Sequence, residues 1–436
     1  MLSAFRSALA LSDLRRKILF TLGMVVLYRL GAAIPSPGVS YPNVQQCVEE
    51  LQGSSAQSVY SLLNLFSGGA LLQLSVLALG IMPYITASII IQLLQVVIPR
   101  FEQLKKEGQA GQAKLTQYTR YLTIALSVLQ ATGIVALAVR GQLFPGCTVS
   151  PIPDDGVFNL IVIVVTMTAG AAVLMWMGEL ITERGIGNGM SLLIFTSIAS
   201  RVPAEGVNIF NQHGPLVFSV VCAFAVAILA TVVFIEQAQR RIPVQYAKRM
   251  IGRRMYGGTS TYLPLKVNQA GVIPVIFGSS LLYLPQLLTQ LSGNQDSWWV
   301  RFISTYIADP ANWVHILLYM ALIIFFAYFY VSITFNPEER AEDMKKYGGF
   351  IPGIRPGRPT AEYLSYVLSR ITLPGSLYLG IVAILPNFFI GLTGQGAAQN
   401  FPFGGTAVLI MVNVGLDTVK HIQSQLQQRN YEGFLR

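Results

Sequence analysis

Long apolar segments alternate with shorter polar stretches along the whole chain. Ten of these segments are long enough to cross the roughly 30 Å hydrocarbon core of a bilayer, which takes about 20 helical residues. The fifth is the weakest, because it is short and contains several glycines and serines. The pattern predicts an all-α membrane protein with ten transmembrane helices. The predicted spans are residues 18–37, 71–98, 118–139, 157–181, 186–203, 215–236, 268–291, 313–335, 371–392 and 402–420.

The composition and the charge distribution agree with this pattern. The chain is 53% hydrophobic and only 11% charged, whereas soluble domains are about 25% charged. The apolar run after Lys17 continues to about Pro37, which is too long for the core of a cleavable signal, so it is interpreted as the first span. Nearly all of the 30 lysines and arginines face one side if the N-terminus is cytoplasmic. Both termini are therefore predicted to be cytoplasmic.

A nearly identical phrase occurs at equivalent places in the two halves of the span pattern. GIMPYITAS, residues 80–88, lies in the second span, and GVIPVIFGS, residues 271–279, lies in the seventh. Ten spans divide into two sets of five, and because five is odd the second set enters the membrane upside down. Inverted repeats place functional sites near mid-membrane, on interrupted helices. The predicted parts are an N-terminal segment, 1–17, two halves, 18–203 and 204–420, and a C-terminal tail, 421–436.

The region from Val59 to Ile98 is too long for one straight span. Forty helical residues would measure about 60 Å, roughly twice the hydrocarbon thickness. The run Ser67-Gly68-Gly69 is the natural break. The external piece before it is predicted to fold back, either flat on the outer leaflet or as a re-entrant piece buried in protein.

Catalytic and cofactor-binding motifs are missing from the sequence. The three histidines lie far apart, and there is no HExxH, no GxSxG and no phosphate-binding Gly-Lys motif. GIGNG, residues 185–189, is interpreted as a tight turn between the fourth and fifth helices. No carboxylate lies at mid-span, which argues against an ion-coupled transporter. The sequence therefore predicts a protein that is not an enzyme and holds no metal or cofactor.

Two of the three cysteines, Cys47 and Cys147, are predicted to lie on the external side. A disulfide between them is conceivable, but we favour two unpaired thiols in different loops.

Two cytoplasmic loops, residues 237–267 and 336–370, are long and strongly basic. The first holds seven lysines and arginines with interleaved tyrosines, and the second contains the stiff turn FIPGIRPGRP. Fixing the topology or contacting anionic lipid needs fewer charges than this. Basic loops with aromatic residues suit RNA and equally suit an acidic protein partner. We expect a large cytoplasmic docking partner.

Seven long motifs, taken in chain order, match one family of membrane proteins. They are SGGALLQLSVLALGIMPYITASIIIQLL, QYTRYLTIAL, MGELITERGIGNGMS, QRRIPVQYAKR, STYLPLKVNQAGVIPVIF, FNPEERAEDMKKYGGFIPGIRPG and FPFGGTAVLI. On these motifs the chain resembles the bacterial SecY family, the pore subunits of the Sec protein-conducting channel. The resemblance covers nearly the whole chain, and the external segments and the C-terminal tail are less distinctive.

The resemblance implies an hourglass pore between the two halves, closed at its waist by a ring of apolar side chains. An isolated isoleucine would be ordinary helix packing, but three of these residues lie in the repeated phrase or beside it. At position 190 many relatives carry isoleucine, whereas this chain carries the longer and more flexible methionine. The implied ring residues are Ile81, Ile85, Met190, Ile194, Ile276 and Ile410.

The resemblance also implies a plug at about residues 60–72 and a lateral gate formed by the second and seventh helices. An interfacial helix remains the alternative to the plug. At the gate, Pro83 and Pro274 are interpreted as loosening the backbone, and small or polar side chains would make weak contacts. The plug residues are Tyr60, Leu62, Leu63, Asn64, Leu65, Phe66, Ser67, Gly68 and Gly69. The gate residues are Thr86, Ser88, Gln92, Gln130, Asn268, Ser279, Ser280 and Leu284.

The same resemblance implies a set of partners and a location in the bacterial cell membrane. The basic loops would dock the ribosome, through its rRNA, and the SecA motor ATPase. Small membrane subunits, SecE and usually SecG, would accompany the chain. Secretory preproteins and their signal sequences would pass through the pore, and apolar segments would leave sideways into membrane lipid. The docking residues are Arg240, Arg241, Lys248, Arg249, Arg253, Arg254 and Arg355.

Two other function classes compete with a polypeptide channel. A secondary transporter for a small solute is the main alternative, because inverted repeats and broken helices suit both. An intramembrane hydrolase would need a nucleophile or a metal cluster that the sequence does not offer.

Overall fold

The computed structural model describes residues 11–51, 67–141, 143–144, 147, 149–246, 249–251, 254–256, 260–291, 297–307, 312–393 and 405–432. The first seven helices are α1 (Ser12–Ala33), α2 (Tyr41–Leu51), α3 (Met82–Val97), α4 (Pro99–Lys106), α5 (Gln109–Val139), α6 (Val157–Arg184) and α7 (Gly189–Gln237). They are followed by α8 (Ile273–Leu291), α9 (Trp298–Phe302), α10 (Trp313–Thr334), α11 (Pro337–Lys346), α12 (Arg358–Thr393) and α13 (Gly405–Glu432). A π-helical turn, Ile303–Ile307, follows α9.

A helix occupies each of the ten predicted spans in the described chain. The fifth and sixth spans lie in α7, which is two consecutive helices because Gly214 interrupts it with φ 80° and ψ 174°. By length and composition, five helices among the described residues qualify as membrane spans. The pair α3 and α4, bent by 100° with respect to each other, adds a sixth candidate. α3 alone has only 16 residues, fewer than the roughly 20 of a straight span.

The contacts divide the chain into two compact units, Met1–Gly214 with Val414–Arg436, and Pro215–Asn413. In the first unit, one buried cluster includes Leu74, Ala131 and Met167, so it packs residues 67–81 with α5 and α6.

The prediction of a helix over residues 71–98 is wrong for the first part of that range. Residues 67–81 form a series of turns, and α3 begins only at Met82. The reason is the distribution of glycine: Gly68, Gly69 and Gly80 adopt φ angles of 66°, 95° and 57°, which glycine tolerates and other residues resist. The prediction took Gly68 and Gly69 as the break before the span, but it placed Gly80 inside the helix.

The turns of residues 67–81 are largely buried and paired with the segment that follows α1. Ser36 N donates to Leu74 O at 3.0 Å, and Val76 N donates to Ile34 O at 2.9 Å. Non-helical backbone is tolerated at membrane depth only where protein buries it and satisfies its polar groups. This segment meets both conditions at these bonds.

Gly170 on α6 leaves room for the same segment, since a Cβ at this position would collide with the carbonyl oxygen of Val76. The substitution Gly170→Ala is expected to destabilise the first unit by about 1–3 kcal/mol through overpacking. The loss is measured as a lower thermal unfolding temperature of the purified protein in detergent. At Gly133 on α5, a Cβ meets nothing within 4 Å, so Gly133→Ala should be neutral or stabilise through helix propensity. Equal shifts in the two variants would contradict the packing described.

The first basic loop is a β-hairpin, which the all-α prediction did not include. β1 (Gln239–Tyr246) pairs antiparallel with β4 (Ser260–Lys266), and β5 (Gly349–Phe350) pairs with the other edge of β1. A smaller sheet joins β2 (Arg249–Ile251) and β3 (Arg254–Tyr256). Ile242 and Val244 are buried while their neighbours in β1 are exposed, so the strand follows the two-residue alternation of a half-buried sheet.

The three-stranded sheet packs on the helices of its own unit. Ile242 and Leu265 are buried with Ile351, Leu364 and Val367. The sheet therefore has one face on a hydrophobic core and one face exposed.

The preference for two unpaired thiols is wrong. Cys47 on α2 and Cys147 form a disulfide, with their Cα atoms 5.2 Å apart. Cys47 is completely buried among Val44, Leu143 and Phe144. The sequence placed both thiols on the same side but had no information on their distance.

Candidate pore, gate and docking surface

The repeated phrase starts a helix in both units. Gly80 and Gly271 adopt similar φ angles of 57° and 61°, and a helix begins two residues after each. Pro83 and Pro274 are therefore second residues of their helices, so the interpretation that they loosen the helices is wrong. At that position proline costs no intrahelical hydrogen bond, and its fixed φ suits a helix start. The proline inside α8 is Pro285.

The six residues predicted to form the apolar ring all lie at helix starts. Ile85 and Ile276 occupy equivalent places: their amides donate to the carbonyls of Ile81 at 3.1 Å and of Val272 at 3.2 Å. Ile85 is half-buried and Ile276 is buried. The positions are Ile81 just before α3, Ile85 and Ile276 fourth in α3 and α8, Met190 second and Ile194 sixth in α7, and Ile410 sixth in α13.

Met190 is held at the turn that joins α6 to α7. Its Sδ lies against Gly178 of α6, where any side chain would collide with it. Asn188 Oδ1 accepts from Met190 N at 3.1 Å, and Thr182 Oγ1 accepts from Gly189 N at 2.9 Å. The GIGNG segment is a tight turn, as predicted, and the long methionine fits the notch that Gly178 leaves.

The predicted plug hinge is bonded to two side chains of α1, and one of these also contacts α7. Tyr28 Oη donates to Ser67 O at 3.3 Å, and Arg29 Nη1 donates to Gly68 O at 3.1 Å. Tyr28 Oη also lies 2.5 Å from Ser197 Oγ. Tyr28 is fully buried, and its role was not predicted from the sequence. The remaining predicted plug residues lie outside the described residues: Tyr60, Leu62, Leu63, Asn64, Leu65 and Phe66.

Two of the predicted gate side chains are bonded within their own helices. Thr86 Oγ1 donates to Met82 O at 3.0 Å, and Ser279 Oγ donates to Ile276 O at 2.9 Å. Ser88, Gln92 and Gln130 are half-buried on α3 and α5, and Ser280 and Leu284 lie on α8 with side chains outside the described part.

The side chain of Asn268 is buried and hydrogen-bonded within its own unit, so it is not exposed on a gate surface. Its Nδ2 donates to Glu236 Oε1 at 2.6 Å and to Gly271 O at 3.2 Å. Both Asn268 and Glu236 are buried. One feature of the sequence pointed to this pair: a carboxylate at the end of an apolar span is costly unless it finds a partner.

The structure joins the two basic loops in one sheet. β1 comes from the first loop and β5 from the second. Arg240 and Arg241 are exposed on β1, and Arg355 is exposed in the turn after β5. Of the other predicted docking residues, Lys248 and Arg253 lie outside the described residues, and Arg249 and Arg254 lie on β2 and β3 with side chains outside them.

Comparisons with known proteins agree on one family. A family model described as SecY matches residues 75–419. Protein translocase subunit SecY of Mycobacterium tuberculosis is 70% identical over 441 residues and covers 100% of both chains. The protein of the same name from Streptomyces coelicolor is 64% identical over 442 residues, again with 100% of both chains covered.

Solved structures share the fold at low sequence identity. One described as a protein conducting channel has a TM-score of 0.63 and 19% identity, and the match covers 94% of this chain and 92% of that one. The yeast Ssh1 complex bound to the 80S ribosome gives a TM-score of 0.61 and 14% identity, with 93% and 89% covered. With relatives this similar over its full length, the chain belongs to the SecY family of bacterial protein translocase subunits.

Proposed function

We propose that the six apolar residues at helix starts form the closure through which this channel threads unfolded polypeptides. As a SecY protein, the chain is a ten-helix, multi-pass protein of the bacterial cell membrane. It is the pore subunit of the protein translocase and is not an enzyme, which sets aside the solute transporter and the hydrolase. The observation that carries the proposal is the equivalence of Ile85 and Ile276, each one turn into a helix that starts with the same phrase.

An apolar closure suits a channel whose substrates vary in sequence. It excludes ions because it dewets and offers no replacement for their hydration shells. Isoleucine and methionine side chains can part around an extended chain, and Met190 is the most adaptable of them. A charged or hydrogen-bonding lining would bind some substrates and repel others. A backbone fixed by the helix gives these side chains stable anchors while their tips can change rotamer.

The helices α3 and α8 are proposed to form the lateral gate. The hydroxyl protons of Thr86 and Ser279 are used inside their own helices, so these groups offer an opposing helix mainly an acceptor. Hydrogen bonds between membrane helices average only about 0.6 kcal/mol. A seam closed by such contacts can part for an apolar signal sequence and then release it into lipid.

The exposed arginines of β1 and of the turn after β5 are proposed as the docking surface for the ribosome or the SecA motor. Arg240 and Arg241 are exposed on β1, which is hydrogen-bonded to β5, and Arg355 is exposed in the turn that follows β5, so the pairing of the two strands holds these side chains near one another. Arginines held this way suit the phosphates of rRNA and acidic protein surfaces. The small subunits SecE and SecG belong to the same proposal.

The decisive test is a crosslink between the closure and a polypeptide in transit. A secretory precursor with one cysteine is stalled in channels that carry Ile276→Cys. Cys222, which is free, is first replaced by serine, while Cys47 and Cys147 are already bonded to each other. We expect a crosslink to position 276 that depends on stalling.

The matched control is Leu281→Cys on the same helix, where the side chain is 45% exposed on the surface of the unit. We expect no stalling-dependent crosslink there for a hydrophilic stretch of the precursor. A precursor that crosslinks to neither position, or equally to both, would refute the proposed closure.

A further inference from the structure

A buried polar pair lies where the cytoplasmic hairpin joins the membrane helices. Glu236 is the penultimate residue of α7, and Asn268 comes two residues after β4. Their side chains are 6% and 4% exposed, and they meet at 2.6 Å. A buried carboxylate is stable only with good partners, and a short bond to a charged acceptor is among the stronger hydrogen bonds.

The amide of Asn268 uses its two donor hydrogens on two different elements. One bond goes to Glu236 at the end of α7, and the other goes to the carbonyl of Gly271 at 3.2 Å. An amide nitrogen has only these two hydrogens. The side chain therefore connects the end of α7 directly to the start of α8.

The backbone around this pair forms a narrow neck below the hairpin. Val267 N donates to Ala238 O at 3.0 Å, which closes the hairpin at its base. The backbone of Val267 lies against Gly375 of α12, where a side chain would collide with it. Along the chain, this neck is the direct connection between the sheet and α8.

Gly271 would otherwise be a hinge in the neck. It has a φ angle of 61°, and the nearest atom to a Cβ built on it is 3.6 Å away, so neighbouring atoms do not restrain it tightly. Hinges are positions that absorb large changes in backbone angles. Asn268 bonds the carbonyl of that residue, and Glu236 in turn fixes Asn268.

We propose that Glu236 is a positioning residue that, through Asn268 and Gly271, makes the cytoplasmic sheet and the start of α8 move as one body. The pair thereby transmits the docking of a cytoplasmic partner to the helix that carries Ile276. This inference rests on the proposed docking surface and closure, and it adds the link between them. Coupling of this kind needs an element whose conformational equilibrium is shifted by both sites. In this proposal, that element is the neck.

The first test measures the rigidity of the neck without any partner. Spin labels are placed at Thr261→Cys on β4 and Leu281→Cys on α8, both exposed, in a Cys222→Ser background. The distance distribution between them is read by pulsed electron paramagnetic resonance in reconstituted membranes. Glu236→Ala should broaden it, whereas Glu236→Gln, which keeps an acceptor oxygen, should leave it near the wild-type width.

The second test separates coupling from docking. In proteoliposomes supplied with SecA, Glu236→Ala should bind the motor within about two-fold of wild type, while precursor transport per bound motor falls about ten-fold. The matched control is Ser376→Ala, which removes a buried hydroxyl that donates within its own helix, to Leu373 O at 2.9 Å. Ser376→Ala should change neither the binding of the motor nor the precursor transport per bound motor.

Two results would overturn the proposal. One is an unchanged distance distribution in Glu236→Ala, and the other is an unchanged transport per bound motor, whether or not motor binding itself falls. If the wild type failed to bind the motor, the docking surface would be wrong. The spin-label distances would still decide whether Glu236 fixes α8. Should Glu236→Ala fold poorly, Glu236→Met replaces it, because methionine keeps most of the buried volume and offers Asn268 no carboxylate oxygen.

Discussion

Replacing Ile276 with serine is expected to raise the ion permeability of the resting channel by about ten- to one-hundred-fold. A buried isoleucine side chain contributes about 1.5–3 kcal/mol through its removal from water, and every 1.4 kcal/mol is a factor of ten. Serine lowers the cost of wetting the closure by an amount of this order, so water and ions enter more often. The measurement is potassium efflux from proteoliposomes containing the purified channel complex. Ile81→Ser should act in the same direction.

The matched control is Leu281→Ser, which makes the same kind of change on the exposed side of α8. It should leave efflux at the wild-type level. Precursor transport should continue in part in Ile276→Ser, because the pore remains and only its seal is weakened. An ion-tight Ile276→Ser protein that still transports would remove this residue from the closure.

The helices were predictable because their cause is local and strong. An apolar run of about 20 residues has few alternatives to a membrane helix, and all ten runs contain one in the described chain. The same argument failed for residues 67–81, which are apolar but not helical. There Gly68, Gly69 and Gly80 outweigh hydropathy, since their φ angles end the helix.

The prolines of the repeated phrase show how position decides the effect of a residue. Pro83 and Pro274 looked like helix breakers because each lies in an apolar run. The glycine three residues before each one places it in the first turn, where proline stabilises the start. The resemblance gave the ring residues, but their shared place at helix starts required the structure. The Glu236–Asn268 bond joins residues 32 positions apart, and no local pattern could predict it.

The sheet could not be predicted from the sequence, for a related reason. Ile242 and Val244 alternate with exposed residues, but a four-residue alternation inside a basic loop is a weak strand signal. The pairing of β1 with β5 joins positions more than a hundred residues apart. This pairing joins two separate basic loops in one sheet, and the docking surface proposed above depends on this non-local contact.

Removing the disulfide between Cys47 and Cys147 is expected to lower the stability of the first unit by about 2–5 kcal/mol. The two cysteines are 100 residues apart, and a closed loop of that length removes much conformational entropy from the unfolded chain. The substitution is Cys47→Ala with Cys147→Ala, since alanine adds no polar group at position 47, which is 0% exposed. Thermal unfolding in detergent, compared with Cys222→Ser as the control, measures the loss.

Thiol counting provides an independent check on the bond. In denatured, unreduced protein, a maleimide should label only Cys222, the free cysteine. After reduction all three cysteines should react.

Because α2 directly precedes the predicted plug segment, the loss of the bond should also raise resting ion efflux in Cys47→Ala with Cys147→Ala. Three reactive thiols before reduction would contradict the disulfide, and an unchanged unfolding temperature would show that the buried packing around Val44 and Phe144 holds α2 without it.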